Sequence, residues 1–264
     1  LGTAGSGKTT MALLRAGYFS HIPNGGKVLL VTFNGALVEY MKGVTNSRNP
    51  WLRVESYHKF ATGYLRSRGK MQWGIIVNNP ELKKYYIDQA VNALHKIYPI
   101  ESTLKRPVGF FVDEIAFIEK FGFADSIAYF EAERIGRASA FLSRNNRKWI
   151  YAVYKKYIEI REAAGKFYDW DDLAFYAYNQ FQDGERLYSH IIVDEGQDFS
   201  PMMIKSLVSA VGDGGSFTFF GDVAQQIYGS RLSWRDSGID AKNTIRLDVN
   251  YRNPATITAF ASDI

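Results

Sequence analysis

The 264-residue sequence contains no cysteine. This absence excludes disulfide bridges, thiolate zinc sites, iron–sulfur clusters and cysteine nucleophiles. Its four histidines lie far apart, without the short spacings of a histidine metal site: His21, His58, His95 and His190. No apolar run approaches the roughly 18 residues that cross a bilayer, and no secretory signal is recognised at the start. We therefore expect a cytoplasmic protein without a membrane partner.

The composition is that of a globular protein. Hydrophobic residues make up 46% and charged residues 22%, which allows a sizeable core and excludes a disordered chain. Lysine and arginine number 32 against 27 aspartates and glutamates, a net charge of +5. This mild basic excess permits a polyanionic partner without requiring one.

Strand-like runs and helical patterns alternate near both ends of the sequence. Apolar, β-branched runs typical of buried strands lie at 27–33, within 186–195 and at 216–222, with a shorter candidate at 244–248. The clearest helical patterns cover 6–19 and 200–211. This alternation predicts an α/β fold in which helices cover a parallel sheet.

The middle of the sequence has few strand-like runs. Between 143 and 163, apolar residues recur on one helical face: Trp149, Ile150, Val153, Tyr157 and Ile160. We predict a mostly helical insertion subdomain at 63–185, which divides the α/β domain into 1–62 and 186–264. The acidic run Asp169, Asp171 and Asp172 suits a helix N-cap with acidic first-turn residues better than a metal site.

Residues 2–9 fit the phosphate-loop pattern G-x-x-x-x-G-K-[ST]. Its glycines let successive backbone N–H groups point into one concavity, and the next helix presents its N-terminus to the same phosphates. The sequence therefore predicts ATP and Mg²⁺ as cofactors, and the plain alternative is a turn that caps a helix. The residues assigned to the nucleotide are Gly5, Ser6, Gly7, Lys8, Thr9 and Thr10. Lys8 would reach the β- and γ-phosphates, and the Thr9 hydroxyl would ligate Mg²⁺.

Such loops normally follow a buried strand, and the sequence begins without one. We therefore expect it to be a fragment of a longer chain.

An ATPase of this kind also needs carboxylates at the end of a neighbouring strand, and two places offer an Asp-Glu pair. Apolar residues around Asp113 and Glu114 follow a helical period, which predicts that both acids lie on a helix surface. Asp194 and Glu195 instead follow a short β-branched run and precede a polar loop. We predict that Asp194 holds the Mg²⁺ shell and that Glu195 is the general base for the attacking water.

These motifs together resemble superfamily 1 helicases of the UvrD/Rep/PcrA type. Residues 8–9, 194–198, 221–229 and 250–252 are similar to motifs I, II, III and IV of that family, in the family order. Residues 31–34 and 56–60 are similar to its motifs Ia and Ib. The resemblance implies a RecA-like P-loop NTPase domain, interrupted by the helical insertion, that hydrolyses ATP to move along single-stranded DNA in the three-prime to five-prime direction.

The resemblance also implies roles for individual residues. Gln225 would sense the γ-phosphate, Tyr251 would stack on the adenine and Arg252 would contact the γ-phosphate. The family usually has a stacking tryptophan where this sequence has Ser230, and Trp234 is a candidate replacement. The residues expected to bind DNA are Phe33, Asn34, His58, Tyr228 and Trp234, although His58, like His190, is also consistent with a structural role.

ATP in this family lies between two RecA-like domains, so the resemblance implies a C-terminal second motor domain as a partner in the same parent chain. A duplex junction is the other expected partner. Basic residues of the insertion could contact its phosphates or form a solvated face: Arg134, Arg137, Arg144, Arg147 and Lys148.

Three other functions are weighed against a DNA motor. An ATP-gated nucleic-acid-binding switch in a repair or defence complex would use the same residues without net translocation. A motor on RNA would share the contacts to backbone and base faces. A small-molecule kinase would not account for Gln225, Tyr251 and Arg252 in this order.

Overall fold

The computed structural model describes residues 5–45, 49–123, 125–132, 142–182, 186–222, 243–247 and 249–251. These residues form two compact units, Leu1–Phe60 with Gln180–Ile264, and Ala61–Asn179. Along the chain, the elements are α1 (Lys8–His21), β1 (Val28–Thr32), α2 (Gly35–Val44), β2 (Leu52–Ser56), α3 (Tyr57–Ser67), β3 (Ile76–Val77), α4 (Pro80–Ile97), α5 (Val108–Phe121), α6 (Ser126–Glu131), α7 (Arg144–Ala163), β4 (Tyr168–Asp169), α8 (Leu173–Gln182), β5 (Tyr188–Val193), α9 (Pro201–Ser209) and β6 (Val211–Phe219).

The first unit contains a four-stranded parallel sheet in the order β2-β1-β5-β6. All five residues of β1 are buried, as its unbroken apolar run predicts. Helices α1 and α2 cover one face, and their core includes Ala12, Leu30, Val38 and Ile192. The predicted α/β fold with a parallel sheet is therefore confirmed.

Two strand assignments in this unit differ from the sequence-based expectation. Strand β2 was not expected, because Arg53 and Glu55 interrupt its apolar pattern, and the two side chains form an ion pair of 2.7 Å. A strand was also expected at 244–248. In the described residues of this segment, 244–247, no strand forms and only Leu247 makes an isolated bridge. Ile245, in the same stretch, remains exposed, so this segment lacks the burial that its apolar residues suggest.

The second unit is mostly helical, as predicted. The apolar face of α7 packs into its core, where Ile150, Val153 and Tyr157 are fully buried beside residues of α4 and α5. Helix α5 also forms as expected. The unit contains one pair of short parallel strands, β3 and β4, which are too short to be recognised from periodicity. Within the described ranges, no helix is long and apolar enough to cross a membrane.

A network of buried ion pairs lies in this unit. The Lys83 ammonium lies 2.6 Å from Glu119, 3.0 Å from Asp169 and 2.9 Å from Asp171. Arg161, which is fully buried, pairs with Asp169 at 3.2 Å and with Asp172. Burial raises the pKa of Asp172 to about 7. Burial also tends to raise the pKa of Asp169, but Lys83 and Arg161 outweigh it and lower that pKa.

The acidic run at 169–172 is therefore only partly a helix cap. One Asp169 oxygen accepts hydrogen bonds from the backbone N–H groups of Asp171 and Asp172, as an N-cap residue does. Helix α8 begins only at Leu173 and has no acid in its first turn, so the prediction of acidic first-turn residues is wrong. The Glu119, Asp169 and Asp171 carboxylates, whose oxygens lie within 4.8 Å of one another, all face the Lys83 ammonium.

One further expectation for this unit is wrong. Glu114 is buried and accepts a hydrogen bond of 3.0 Å from the Tyr129 hydroxyl, whereas Asp113 is on the surface as expected. Arg147, one of the basic residues weighed as phosphate ligands, is half-buried. Its guanidinium donates to the carbonyl oxygens of Tyr129, Phe130 and Ala132, which are the acceptors at the end of α6.

Candidate active site

Functional candidates lie at the carboxyl ends of the parallel strands in the first unit. Phe33 follows β1, His58 lies just after β2, and Asp194 directly follows β5. Parallel strands end at the same edge of a sheet, so these side chains share one edge, which is where open α/β sheets bind ligands.

The phosphate loop has the backbone that its sequence predicts. Gly5 and Gly7 have φ values of 77° and 82°, a left-handed conformation that glycine adopts without steric cost. Helix α1 begins at Lys8, and no side chain caps it at Gly7. Its first backbone N–H groups, including those of Thr9 and Thr10, have no carbonyl partner within the helix, which leaves them available to an anion held by the loop.

Asp194 is fully buried, and neither of its carboxylate oxygens makes a hydrogen bond of good geometry with the described residues. Burial raises the pKa of Asp194 to about 6, while the nearby Thr9 hydroxyl and Lys8 ammonium act to lower it. A buried carboxylate without hydrogen bonds is costly in a folded protein. A divalent cation would relieve that cost, so the pair of Asp194 and Thr9 fits a Mg²⁺ site.

Glu195 is held in an unusual conformation beside Asp194. Its φ is 51°, in the left-handed region that non-glycine residues rarely adopt. The Gln197 side chain donates a hydrogen bond of 2.6 Å to the Glu195 carboxylate. The other end of the Gln197 amide accepts a hydrogen bond of 3.0 Å from the Asp222 backbone N–H. Strained backbone of this kind is concentrated at functional sites.

Lys8 also contacts the segment after β6. Its ammonium lies 3.8 Å from the Asp222 carboxylate, and only 7% of Lys8 and 3% of Asp222 are exposed. Lys8 is thus linked to Asp222 directly, and Glu195 is linked to it through Gln197. Sequence reasoning assigned no role to Gln197 or Asp222, although both lie within the quoted motifs.

Gly196 allows the turn after Glu195 to pack against β6. A Cβ atom at this position would lie 2.2 Å from the Phe219 ring. We expect Gly196→Ala to lower the free energy of unfolding by about 1–3 kcal/mol, the usual cost of overpacking. The measurement is urea unfolding followed by circular dichroism.

The matched control is Gly17→Ala, in the middle of α1, where a new Cβ meets no atom within 4 Å. We expect it to be neutral or to stabilise the protein by about 0.5–1 kcal/mol, since alanine is the better helix former. Equal effects of the two substitutions would contradict the proposed clash with Phe219.

Tyr251 approaches the phosphate loop through its backbone. Its N–H donates a hydrogen bond of 2.9 Å to the Gly5 carbonyl oxygen, and its side chain is 79% exposed. An exposed ring beside the phosphate loop is available for stacking. The adenine contact remains a prediction, and the structure brings Tyr251 to a suitable place for it.

Of the residues after β1 and β2 that are expected to bind DNA, some present a partly exposed ring and one is used by the fold to cap a helix. The Phe33 ring is 38% exposed and makes edge contacts with the rings of His58, at 5.4 Å, and Phe199, at 6.2 Å. Asn34 instead caps α2, where its side chain accepts a hydrogen bond from the Ala36 N–H. His190 has the structural role expected of it, because its ring stacks on Phe19 and its Nδ1 lies 2.8 Å from the Ser216 hydroxyl.

Several predicted site residues lie outside the described residues: Gln225, Tyr228, Trp234 and Arg252. The same holds for Ser230, Arg134 and Arg137. Their assignments rest on the sequence.

Comparison with known proteins gives the family. A family model described as an AAA domain matches residues 1–231. The chain belongs to this AAA domain family. The phosphate loop, Asp194 and Glu195 all lie within the matched stretch. The family match therefore includes the candidate active site at the sheet edge.

The chain is also similar to curated helicases. It is 31% identical to DNA helicase II of Haemophilus influenzae over 140 residues, which are 47% of this chain and 18% of that protein. It is 25% identical to one subunit of an ATP-dependent helicase/nuclease of Lactococcus lactis subsp. lactis over 162 residues, 54% of this chain and 13% of that protein. The exonuclease/helicase protein RexA of Lactococcus lactis subsp. cremoris is 26% identical over a stretch of the same length.

These matches confirm the likeness to superfamily 1 helicases of the UvrD/Rep/PcrA type. They cover less than a fifth of the length of each of these relatives.

Proposed function

We propose that this AAA-domain protein is part of an ATP-dependent DNA helicase or translocase. The observation that carries the proposal is the meeting of three groups at one sheet edge: the uncapped start of α1 at Lys8, the unpartnered Asp194 carboxylate, and Glu195 in its left-handed turn. Together they offer phosphate binding, metal binding and a base, which are the requirements of ATP hydrolysis.

In the proposed reaction, the loop backbone and Lys8 would hold the β- and γ-phosphates, and Thr9 and Asp194 would hold Mg²⁺. The bound metal ion would neutralise phosphate charge. A water molecule attacks the γ-phosphorus and gives its proton to a Glu195 carboxylate oxygen. The new oxygen–phosphorus bond forms as the bond to the β–γ bridging oxygen breaks, and ADP leaves with that electron pair. Arg252 and Gln225 contact the γ-phosphate, and Tyr251 stacks on the adenine.

The strand-binding part of the proposal involves Phe33 and His58, whose rings meet at the same sheet edge. Aromatic faces stack on any base, which suits a motor that moves along single-stranded DNA without sequence preference. Two of the relatives are named as a DNA helicase and an exonuclease/helicase, which favours DNA over RNA. Three-prime to five-prime movement, a duplex junction and a second RecA-like domain as partners belong to the same proposal.

The test is ATP turnover by the complete natural protein, with and without single-stranded DNA. We expect DNA to raise kcat at least about tenfold, which corresponds to about 1.4 kcal/mol in the barrier. The Lys8→Ala protein is the blank that measures turnover by contaminating ATPases. Its matched control is Lys27→Ala, the same change at an exposed lysine before β1.

The same assay with RNA of matched length and sequence separates the alternatives. Stimulation by RNA alone would replace the DNA motor with an RNA motor. Turnover that ignores both nucleic acids would contradict the motor and favour a switch with another trigger. We also expect the isolated 264-residue chain to bind nucleotide weakly and to turn it over slowly, because part of the proposed site belongs to the second domain.

A further inference from the structure

We propose that Gln197 is a positioning residue, which orients the Glu195 carboxylate and ties it to the segment that follows β6. This inference rests on the proposed function, because it concerns the base of the same hydrolysis. It adds a residue to which neither the motifs nor the comparisons assign a task.

The first step of the argument is that both ends of the Gln197 amide are used. Its Nε2 donates to Glu195 Oε2 at 2.6 Å, and its Oε1 accepts from the Asp222 N–H at 3.0 Å. A primary amide is planar and has a donor and an acceptor on the same carbon. The position of one partner therefore determines the orientation that the amide offers to the other.

The second step is that the backbone is joined at the same place. The Gly196 N–H donates to the Phe220 carbonyl oxygen at 2.8 Å, and the Phe220 N–H donates to the Val193 carbonyl oxygen at 2.8 Å. The turn after β5 is thus fixed to the end of β6 by main-chain hydrogen bonds. Gln197 extends this connection to the side chain of Glu195.

The third step concerns what the amide does to the base. A hydrogen bond donated to one carboxylate oxygen leaves the other oxygen to accept the proton of water. Glu195 has two side-chain carbons beyond its Cβ and would otherwise sample several rotamers. Holding Oε2 therefore limits the positions from which Oε1 can act.

The fourth step links the base to the nucleotide and to the nucleic acid. Asp222, the anchor of Gln197, also faces the Lys8 ammonium at 3.8 Å. It directly precedes the stretch that contains Gln225 and Tyr228 in the sequence, the residues assigned above to the γ-phosphate and to DNA. A shift of the Asp222 backbone would therefore change the position of the Glu195 carboxylate through the Gln197 side chain.

The experiment compares Gln197→Ala and Gln197→Glu in the complete natural protein, with Gln182→Ala, an exposed glutamine at the end of α8, as the matched control. Alanine removes both hydrogen bonds. Glutamate retains an acceptor for the Asp222 N–H but replaces the donor with a charge that repels Glu195. For both variants we expect kcat to fall at least about tenfold while KM for ATP changes by less than about twofold, as expected when only the transition state is affected.

Two further measurements test whether Gln197 acts through its partners. In a Glu195→Gln background, we expect Gln197→Ala to cause no additional loss, because residues that act as a unit are not additive. Hydrogen exchange of the Asp222 amide should become about tenfold faster in Gln197→Ala and stay slow in Gln197→Glu. A purely structural role would produce multiplicative losses instead.

Unchanged kcat in a folded Gln197→Glu protein, or a full additional loss in the Glu195→Gln background, would overturn the positioning role. Failure of the proposed function is a different result, since the unsubstituted protein would then show no turnover above the Lys8→Ala blank. If Gln197→Ala does not fold, Gln197→Glu still decides the question, because it retains the anchor on Asp222.

Discussion

Glu195→Gln is expected to lower kcat for ATP hydrolysis by about 10²–10⁴-fold, the usual contribution of a general base. The substitution retains the shape of the side chain and removes its capacity to take a proton. Glu195 lies next to Asp194 at the end of β5, with its carboxylate oriented by Gln197 at 2.6 Å. Nucleotide affinity should change little, because Lys8 and the loop backbone are untouched. Single-turnover hydrolysis and equilibrium titration with a fluorescent ATP analogue would measure the two effects separately.

The control is Glu39→Gln, the same change at an exposed glutamate of α2 that pairs with Lys42 at the surface. It should leave kcat unaltered. A Glu195→Gln protein that turns over at the normal rate would assign the base to another group and would remove the main chemical argument for hydrolysis at this site.

Arg161→Ala is expected to lower the free energy of unfolding of the second unit by about 3–5 kcal/mol, the range observed when one partner of a buried ion pair is removed. The guanidinium is fully buried and donates to Asp169, Asp172 and the Phe167 carbonyl oxygen. Without it, two buried carboxylates lose the guanidinium group that they share. Urea unfolding of the purified protein, followed by tyrosine and tryptophan fluorescence, would measure the loss.

Arg161→Lys should recover part of this stability, because lysine retains the charge without the planar fork of donors. Arg144→Ala, at the exposed start of the same helix α7, should change stability by less than about 0.5 kcal/mol. Similar losses for Arg161→Ala and Arg144→Ala would show that the buried network contributes little to this unit.

The strands that could be recognised from the sequence contain an unbroken apolar, buried run. This run is the whole of β1 and residues 191–193 of β5. β2 could not be recognised in the same way, because Arg53 and Glu55 are acceptable in a strand only once they pair with each other. β6 starts five residues before the expected run, at Val211, where glycines weaken the strand signal and a register irregularity lies opposite Tyr188.

The active site shows the same division. Lys8, Thr9, Asp194 and Glu195 were predicted because each lies in a short motif whose chemistry can be stated. The contact between Gln197 and Asp222 joins residues 25 positions apart and exists only because β6 pairs with β5. Asn34 illustrates the opposite case, since a motif assigned it to DNA and the fold also uses it to cap α2. Lys83, whose ammonium pairs with carboxylates of the acidic run, lies more than eighty residues upstream of that run in the sequence. Its role could therefore not be inferred from the run itself.

The buried carboxylate of Asp194 couples ligand binding to the folding stability of the protein. Burial of this carboxylate carries a desolvation cost, and no hydrogen bond of good geometry from the described residues compensates it. A cation–nucleotide complex that binds only the native state would remove that cost and add its own binding energy to the folding equilibrium. Ligand affinity and resistance to unfolding are therefore coupled through this one carboxylate.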